Sequence, residues 1–189
     1  MCSISNLCYL YKLKIQILYS VIFVNMDGII KQLPSKASAE RKSHKALFKK
    51  LKRKPPKDLD YIMQELHDET FAEINCLECA NCCKTTSPLF TDRDIQRISK
   101  FLKLKPKQFI DQYLKVDEDG DTVLQSSPCP FLFEDNTCMI YEVRPKACAD
   151  YPHTNRKKFH QISDLTLKNV TICPAALEIV EKLKAKINA

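Results

Sequence analysis

The chain has 189 residues, 44% hydrophobic and 28% charged, which suffices for one compact domain with an appendage but not for two full domains. Only two glycines are present, which excludes a Gly-rich phosphate loop, a dinucleotide-binding fingerprint and any collagen-like repeat. The net charge of +7 is uneven, with +2 over residues 1–26, +9 over 27–57 and −4 over 58–189, so the basic excess belongs to an N-terminal arm and the body is mildly acidic.

Residues 1–25 form an apolar extension. The uncharged run Ile15–Val24 is shorter than the roughly 20 residues a bilayer span needs. Lys12 and Lys14 precede it as in a signal peptide, but no small-residue cleavage site follows. An anchor and a packed terminal element are the alternatives. The preferred reading is that the functional start is Met26, with Cys2 and Cys8 outside any ligand set and the protein cytoplasmic. Residues 26–57 are then a basic helical arm, and 58–189 a cysteine-cluster domain.

Within the arm, residues 36–54 are helix-compatible, with a thin apolar face of Ala39, Ala46, Leu47 and Leu51, and Pro55-Pro56 ends it. A solvated, partly frayed helix is expected. The alternative use of residues 31–57 is to hold nucleic acid or an anionic surface. Only Phe48 interleaves the cations, which argues against a base-stacking platform. Residues 58–75 give the clearest amphipathic helix, with Leu59, Ile62, Met63, Leu66, Thr70, Phe71 and Ile74 on one face. His67 stands at the edge of that stripe and reads as a satisfied histidine. Thr91–Asp94 caps a helix running to Leu104, with Ile95, Ile98, Phe101 and Leu102 expected inward. Pro106 opens the next, through Leu114.

Asp117–Asp121 lacks the glycine and glutamate positions of a calcium loop and reads as a turn into a strand at Thr122–Gln125. Phe131–Phe133 and Thr137–Tyr141 suggest a small hairpin. Pro174 opens a last helix, Ala175–Ile187. The expected fold is mainly α with a small β hairpin element near 121–140, a compact single domain organised around its cysteines.

Eight cysteines lie in this body: Cys76, Cys79, Cys82, Cys83, Cys129, Cys138, Cys148 and Cys173. A two-residue gap folds into a turn that lets two thiolates reach one ion, and Cys82 continues the interval. The same C-x2-C-x2-C spacing opens the bacterial ferredoxin run, where a remote cysteine completes the ligand set. Cys129-Pro130 and Cys173-Pro174 offer such partners. The vicinal Cys82-Cys83 pair is unlike a single-ion site, because adjacent side chains diverge. Eight thiolates fill two four-sulfur sites, or one iron–sulfur cluster with four left over. The proposed division puts Cys76, Cys79 and Cys82 on one centre with a distant cysteine, their sulfurs about 3.5–4 Å apart if they share zinc. Cys83 then joins a second group drawn from Cys129, Cys138, Cys148 and Cys173. A disulfide framework is the competing reading, and so is simple burial of thiols such as Cys148 and Cys173.

The run Cys76-x-x-Cys79-x-x-Cys82-Cys83 is followed by Ser127-Pro-Cys129-Pro-Phe-Leu132, by Cys138 through Arg144-Pro145 to Cys148, by Tyr151-Pro152 and by Cys173-Pro174. This pattern, over about residues 70–175, resembles the CxxCxxCC cysteine-cluster family (YkgJ-like). The resemblance implies a bacterial cytosolic domain that chelates zinc or iron. A related cluster occurs in flagellin lysine methylases, but this chain is too short for the extra region such an enzyme needs. Arg144 is placed to offset thiolate charge, unless it pairs with Glu142 or Asp150 at the surface. Tyr141 and Tyr151 read as core aromatics with a polar tip, and His153 as a substitute ligand at most.

Three functions compete: a metal-binding module holding zinc, iron or an iron–sulfur cluster; a thiol, redox or methylase-related enzyme component using a vicinal cysteine; and a nucleic-acid-associated protein. No catalytic triad, HExxH motif or cofactor loop is present, and no small-molecule substrate suggests itself. The metal-binding module is therefore preferred over an enzyme.

Overall fold

A computed structural model describes residues 26–188, and the expectations for residues 1–25, with Cys2 and Cys8, lie outside the described residues. The fold is mainly α with one small antiparallel hairpin, as the sequence predicts.

Helix α1 (Met26–Arg53) is about 42 Å long at 1.5 Å per residue. It is not the solvated, frayed element expected. Leu33, Ala37, His44, Leu47, Phe48 and Leu51 recur at helical spacing and are buried. The charge excess conceals this stripe because every lysine and arginine of the helix lies on the remaining, exposed face. α1 packs on α2 (Leu59–Glu73) and α9 (Pro174–Asn188) around one core that includes Met63, Phe159, Ile179, Val180 and Leu183. Two polar contacts tie it to α9: Glu40 pairs with Lys184 at 2.7 Å, and His44 Nε2 hydrogen-bonds Glu181 at 2.5 Å. Asp60 of α2 accepts from the backbone N–H groups of Lys158 and Phe159, at 2.7 and 3.1 Å, and so holds the left-handed turn at Lys158.

Beyond the cysteine turn, described below, come α5 (Asp92–Phe101) and α6 (Pro106–Tyr113), joined to β1 (Leu114–Val116) and β2 (Thr122–Leu124). Thr91 and Asp94 form the expected capping box. Pro106 occupies the first turn of α6, where its missing N–H costs nothing. Ile95, Ile98, Phe109, Leu114, Leu124 and Phe131 belong to a second core. Phe101, expected inward, is 49% exposed, because the chain turns out of the helix at Leu102. The hairpin also sits elsewhere than expected. Leu114 pairs with Leu124 and Val116 with Thr122, across a turn in which Asp117 Oδ1 accepts from Asp119 and Asp121 N–H. Gly120 has φ +84°, a left-handed conformation that glycine tolerates best. The 131–141 segment retains only the bridge Leu132–Cys138. The remaining short helices are α7 (Lys146–Asp150) and α8 (Ser163–Asn169).

Candidate metal centre

The motif begins at α3 (Cys76–Cys79), whose first turn is capped by Asn75 accepting from Leu77 N–H at 3.0 Å. Ala80 follows in the left-handed region (φ 45°), and α4 (Asn81–Thr85) restarts the helix. C-x-x-C-x-x-C-C is therefore two single turns broken at Ala80, which swings Cys82 and Cys83 into a new direction. The distant cysteines come to this turn through backbone and amide contacts. Cys129 N–H donates to Cys83 O at 2.8 Å. Asn81 Nδ2 donates to Ile172 O at 2.6 Å, which fixes the residue just before Cys173. The Leu132–Cys138 bridge and the bond from Met139 N–H to Phe131 O tie Cys138 to the Cys129 segment.

None of these eight cysteines is in a disulfide, which sets the disulfide framework aside among the described residues. Cys79 is buried, Cys76 is exposed and the other six are half-buried. Backbone N–H groups point at several sulfurs. Cys173 Sγ accepts from Ala176 N–H at 3.4 Å, and backbone N–H groups near Cys79, Cys129 and Cys138 favour thiolate there. The proline after Cys173 shapes its turn, since it lacks an N–H and leaves the Ala176 amide to reach back to sulfur. Such bonds stabilise thiolate over thiol.

Burial works the other way. It pushes the Cys129 thiol up to about 11, and Cys148 and Cys173 up to about 12, with neighbouring thiols adding repulsion. Cys79 and Cys138 are also raised, chiefly by burial, and Cys76 is raised by the protein atoms and thiols around it although its surface reaches solvent. Without a cation these groups hold their protons. Charge relief comes from Arg144, which faces Cys76, Cys138 and Cys148, and from Lys84, which faces Cys79 and Cys83. Arg144 stacks on Tyr141 at 3.9 Å and donates to Tyr141 O, so it is held at the cluster rather than spent on Glu142 or Asp150.

Two geometric expectations need correction. No three of the eight sulfurs lie within 4.8 Å of one another, so Cys76, Cys79 and Cys82 do not form the 3.5–4 Å nest of a single zinc ion. Cys83 also does not turn wholly away from Cys82: the two thiols are close enough that Cys82 is pushed toward the thiol and Cys83 toward the thiolate. On a one-turn helix the 100° between neighbours leaves adjacent sulfurs within reach.

Sequence reasoning missed the residues that hold the ligands. Asp94 is buried (1% exposed) and accepts from Lys146 N–H at 3.1 Å and from Arg97 at 2.6 Å, while Arg97 donates to Arg144 O at 2.8 Å. This clamp sets the helix bearing Cys148. Asn169 Nδ2 donates to Pro152 O at 3.0 Å and so positions Tyr151. The Tyr151 hydroxyl is buried with no partner, and the phenol faces Cys173, Cys82, Cys79 and Cys76. An orphaned donor beside four thiols fits a site whose anionic occupant supplies the acceptor. His153 packs its ring edge-on to Tyr151 at 6.2 Å and belongs to no close trio of ligand atoms. His67 bonds Thr154 at 2.8 Å, the satisfied histidine expected.

Glu40, His44 and Glu181 do bring three ligand atoms within 4.8 Å of one another. Lys184 already bonds both carboxylates, at 2.7 and 2.5 Å, so their cation is an ammonium and the group serves as a clamp between α1 and α9.

Free, half-buried thiols gathered from four segments, with amides and cations turned toward them, are the donor set of a metal-chelating protein. Residues 75–166 match the sequence model of the CxxCxxCC family, described as "Putative zinc- or iron-chelating domain". The match spans seven of the eight thiols and ends before Cys173. No solved structure matches the chain. Among the described residues no helix is long and apolar enough to cross a membrane.

Proposed function

We propose that this protein binds iron through Cys76, Cys79, Cys82, Cys83, Cys129, Cys138, Cys148 and Cys173, in iron–sulfur form, within a reducing cytoplasm. The observation that carries the reading is the spacing of the thiols. Eight free thiols are gathered from four segments, enough for four-sulfur ligand sets, and the local run has the C-x2-C-x2-C interval with Cys-Pro partners of an iron–sulfur protein. A polynuclear cluster spreads its metal atoms and takes ligands farther apart than a single ion does. When bound it supplies one-electron chemistry. The chain's own residues supply the thiolates, the amides that bond them, the Arg144 and Lys84 charges, and the Tyr151 hydroxyl.

The exposed lysines and arginines of α1 support a second, separate reading, a surface for an anionic partner such as nucleic acid. Binding through that face weakens steeply with salt. Salt-independent binding, or none, sets that reading aside.

Purification without oxygen, followed by iron, zinc and acid-labile sulfide analysis, tests the main reading. Iron and sulfide in near-equal amounts, with a broad visible absorption weakened in the Cys82→Ser variant, are expected. Zinc without sulfide overturns it.

A further inference from the structure

We infer that the eight thiols form two iron–sulfur centres of four ligands each, Cys76, Cys79, Cys82 and Cys173 in one and Cys83, Cys129, Cys138 and Cys148 in the other, meeting at the vicinal pair. This rests on the metal-binding reading above and goes beyond the family match, which does not reach Cys173.

The two cores of the fold support the division. Cys173 packs against the first core, built from α1, α2 and α9. Cys129 and Cys138 pack against the second, built around Phe109 and Phe131. The cysteine turn lies between them, and each vicinal residue is tethered to a different side. The Cys83 carbonyl receives the Cys129 N–H at 2.8 Å. Asn81, next to Cys82, holds the Ile172 carbonyl at 2.6 Å and with it Cys173.

The neighbours of each sulfur sort the same way. Cys173 faces Cys76 and Cys79, and Cys82 faces Cys173 and Cys76 besides its vicinal partner. Cys148 faces Cys83, Cys129 and Cys138, and Cys129 faces Cys83 and Cys138. Tyr151 faces Cys173, Cys82, Cys79 and Cys76, the first set of thiols. The exceptions are the contacts of Cys76 and Cys79 with Cys83, as expected where two groups share a border. Four thiolates complete the ligand set of one cluster. Cys82 and Cys83 are neighbours in the chain, one in each set, which makes the centres adjacent rather than independent.

The test uses the full chain carrying Cys2→Ser and Cys8→Ser, loaded with iron and sulfide without oxygen. It is treated with a limiting iron chelator while iodoacetamide caps every thiol released, and intact masses are recorded. Species with zero, four and eight adducts are expected, and peptide mapping of the four-adduct species should find one of the two sets above. Release of all eight together, or four-adduct species of mixed membership, overturns the division while leaving metal binding intact. Capping of all eight before chelator is added overturns both.

Iron content gives a second readout. Cys173→Ser and Cys148→Ser should each halve it. Adding Cys82→Ser to Cys173→Ser should cost no more, whereas Cys173→Ser with Cys148→Ser should abolish it. Near-complete loss from the paired Cys82→Ser and Cys173→Ser changes, in a variant whose circular dichroism is retained, counts against the division.

Discussion

Asp94 is the residue on which the second group of thiols depends most indirectly. Burial alone raises its pKa, but hydrogen bonds from Thr91, Arg97 and the Lys146 backbone outweigh that and hold it below the ordinary 3.8. A depressed carboxylate stabilises the fold above its unfolded titration and loses that contribution as pH falls through the lower, folded value. Asp94→Asn should therefore cost about 1–3 kcal/mol at neutral pH, the range for a buried charged hydrogen bond. The difference from the parent should shrink below about pH 4, as the parent's own carboxylate protonates. Denaturant unfolding across pH checks this, and a pH-independent difference counts against the ionised clamp. Tyr151 offers the opposite test. Its buried hydroxyl has no partner in the protein. Tyr151→Phe should leave the metal-free protein no less stable. In the loaded protein it should hasten release to a chelator by up to about tenfold, the low end for an outer-shell hydrogen bond. Equal release rates would show that the hydroxyl does not serve the centre.

The element that most changes the picture is α1. Phe48 is 2% exposed and stacks obliquely on Phe159 at 6.1 Å. Phe48→Ala should cost about 3–5 kcal/mol, as for other buried aromatic truncations. Neutralising the exposed Lys45 or Lys49 should change stability by no more than about 0.5 kcal/mol. A dispensable arm would show no cost for the first change, so thermal unfolding of the two kinds of variant separates the alternatives. The helices α2, α5, α6 and α9 were legible because each carries an apolar stripe with a cap or an initiating proline. α1 was not, because its stripe of Leu33, Ala37, Leu47, Phe48 and Leu51 is diluted by seven exposed Lys and Arg residues from Lys31 to Lys50 and by Pro34 inside the helix. Leu114 also fitted the preceding helix by periodicity, and only its pairing with Leu124 makes it a strand. At the site, the thiols announce themselves by spacing. Asn81 and Asp94 do not, because their partners lie 91 and 52 residues away and one polar side chain carries no periodic signal.

Across the whole molecule, two apolar cores flank the thiols, and the ligands come from both sides of that seam. Metal held as proposed would join the cores, and its binding free energy would become folding free energy, on the order of 10 kcal/mol where structural zinc sites have been characterised. Chelation should lower the melting temperature and the helical signal together. Unchanged circular dichroism in the metal-free protein would mean that the cores hold each other without metal. The central claim is that cysteine sulfurs carry a polynuclear iron centre, and iron K-edge X-ray absorption on the protein purified without oxygen addresses it most directly. An all-sulfur first shell with a second shell of iron neighbours is expected. A first shell containing nitrogen or oxygen, or sulfur ligation with no iron neighbour, would contradict it.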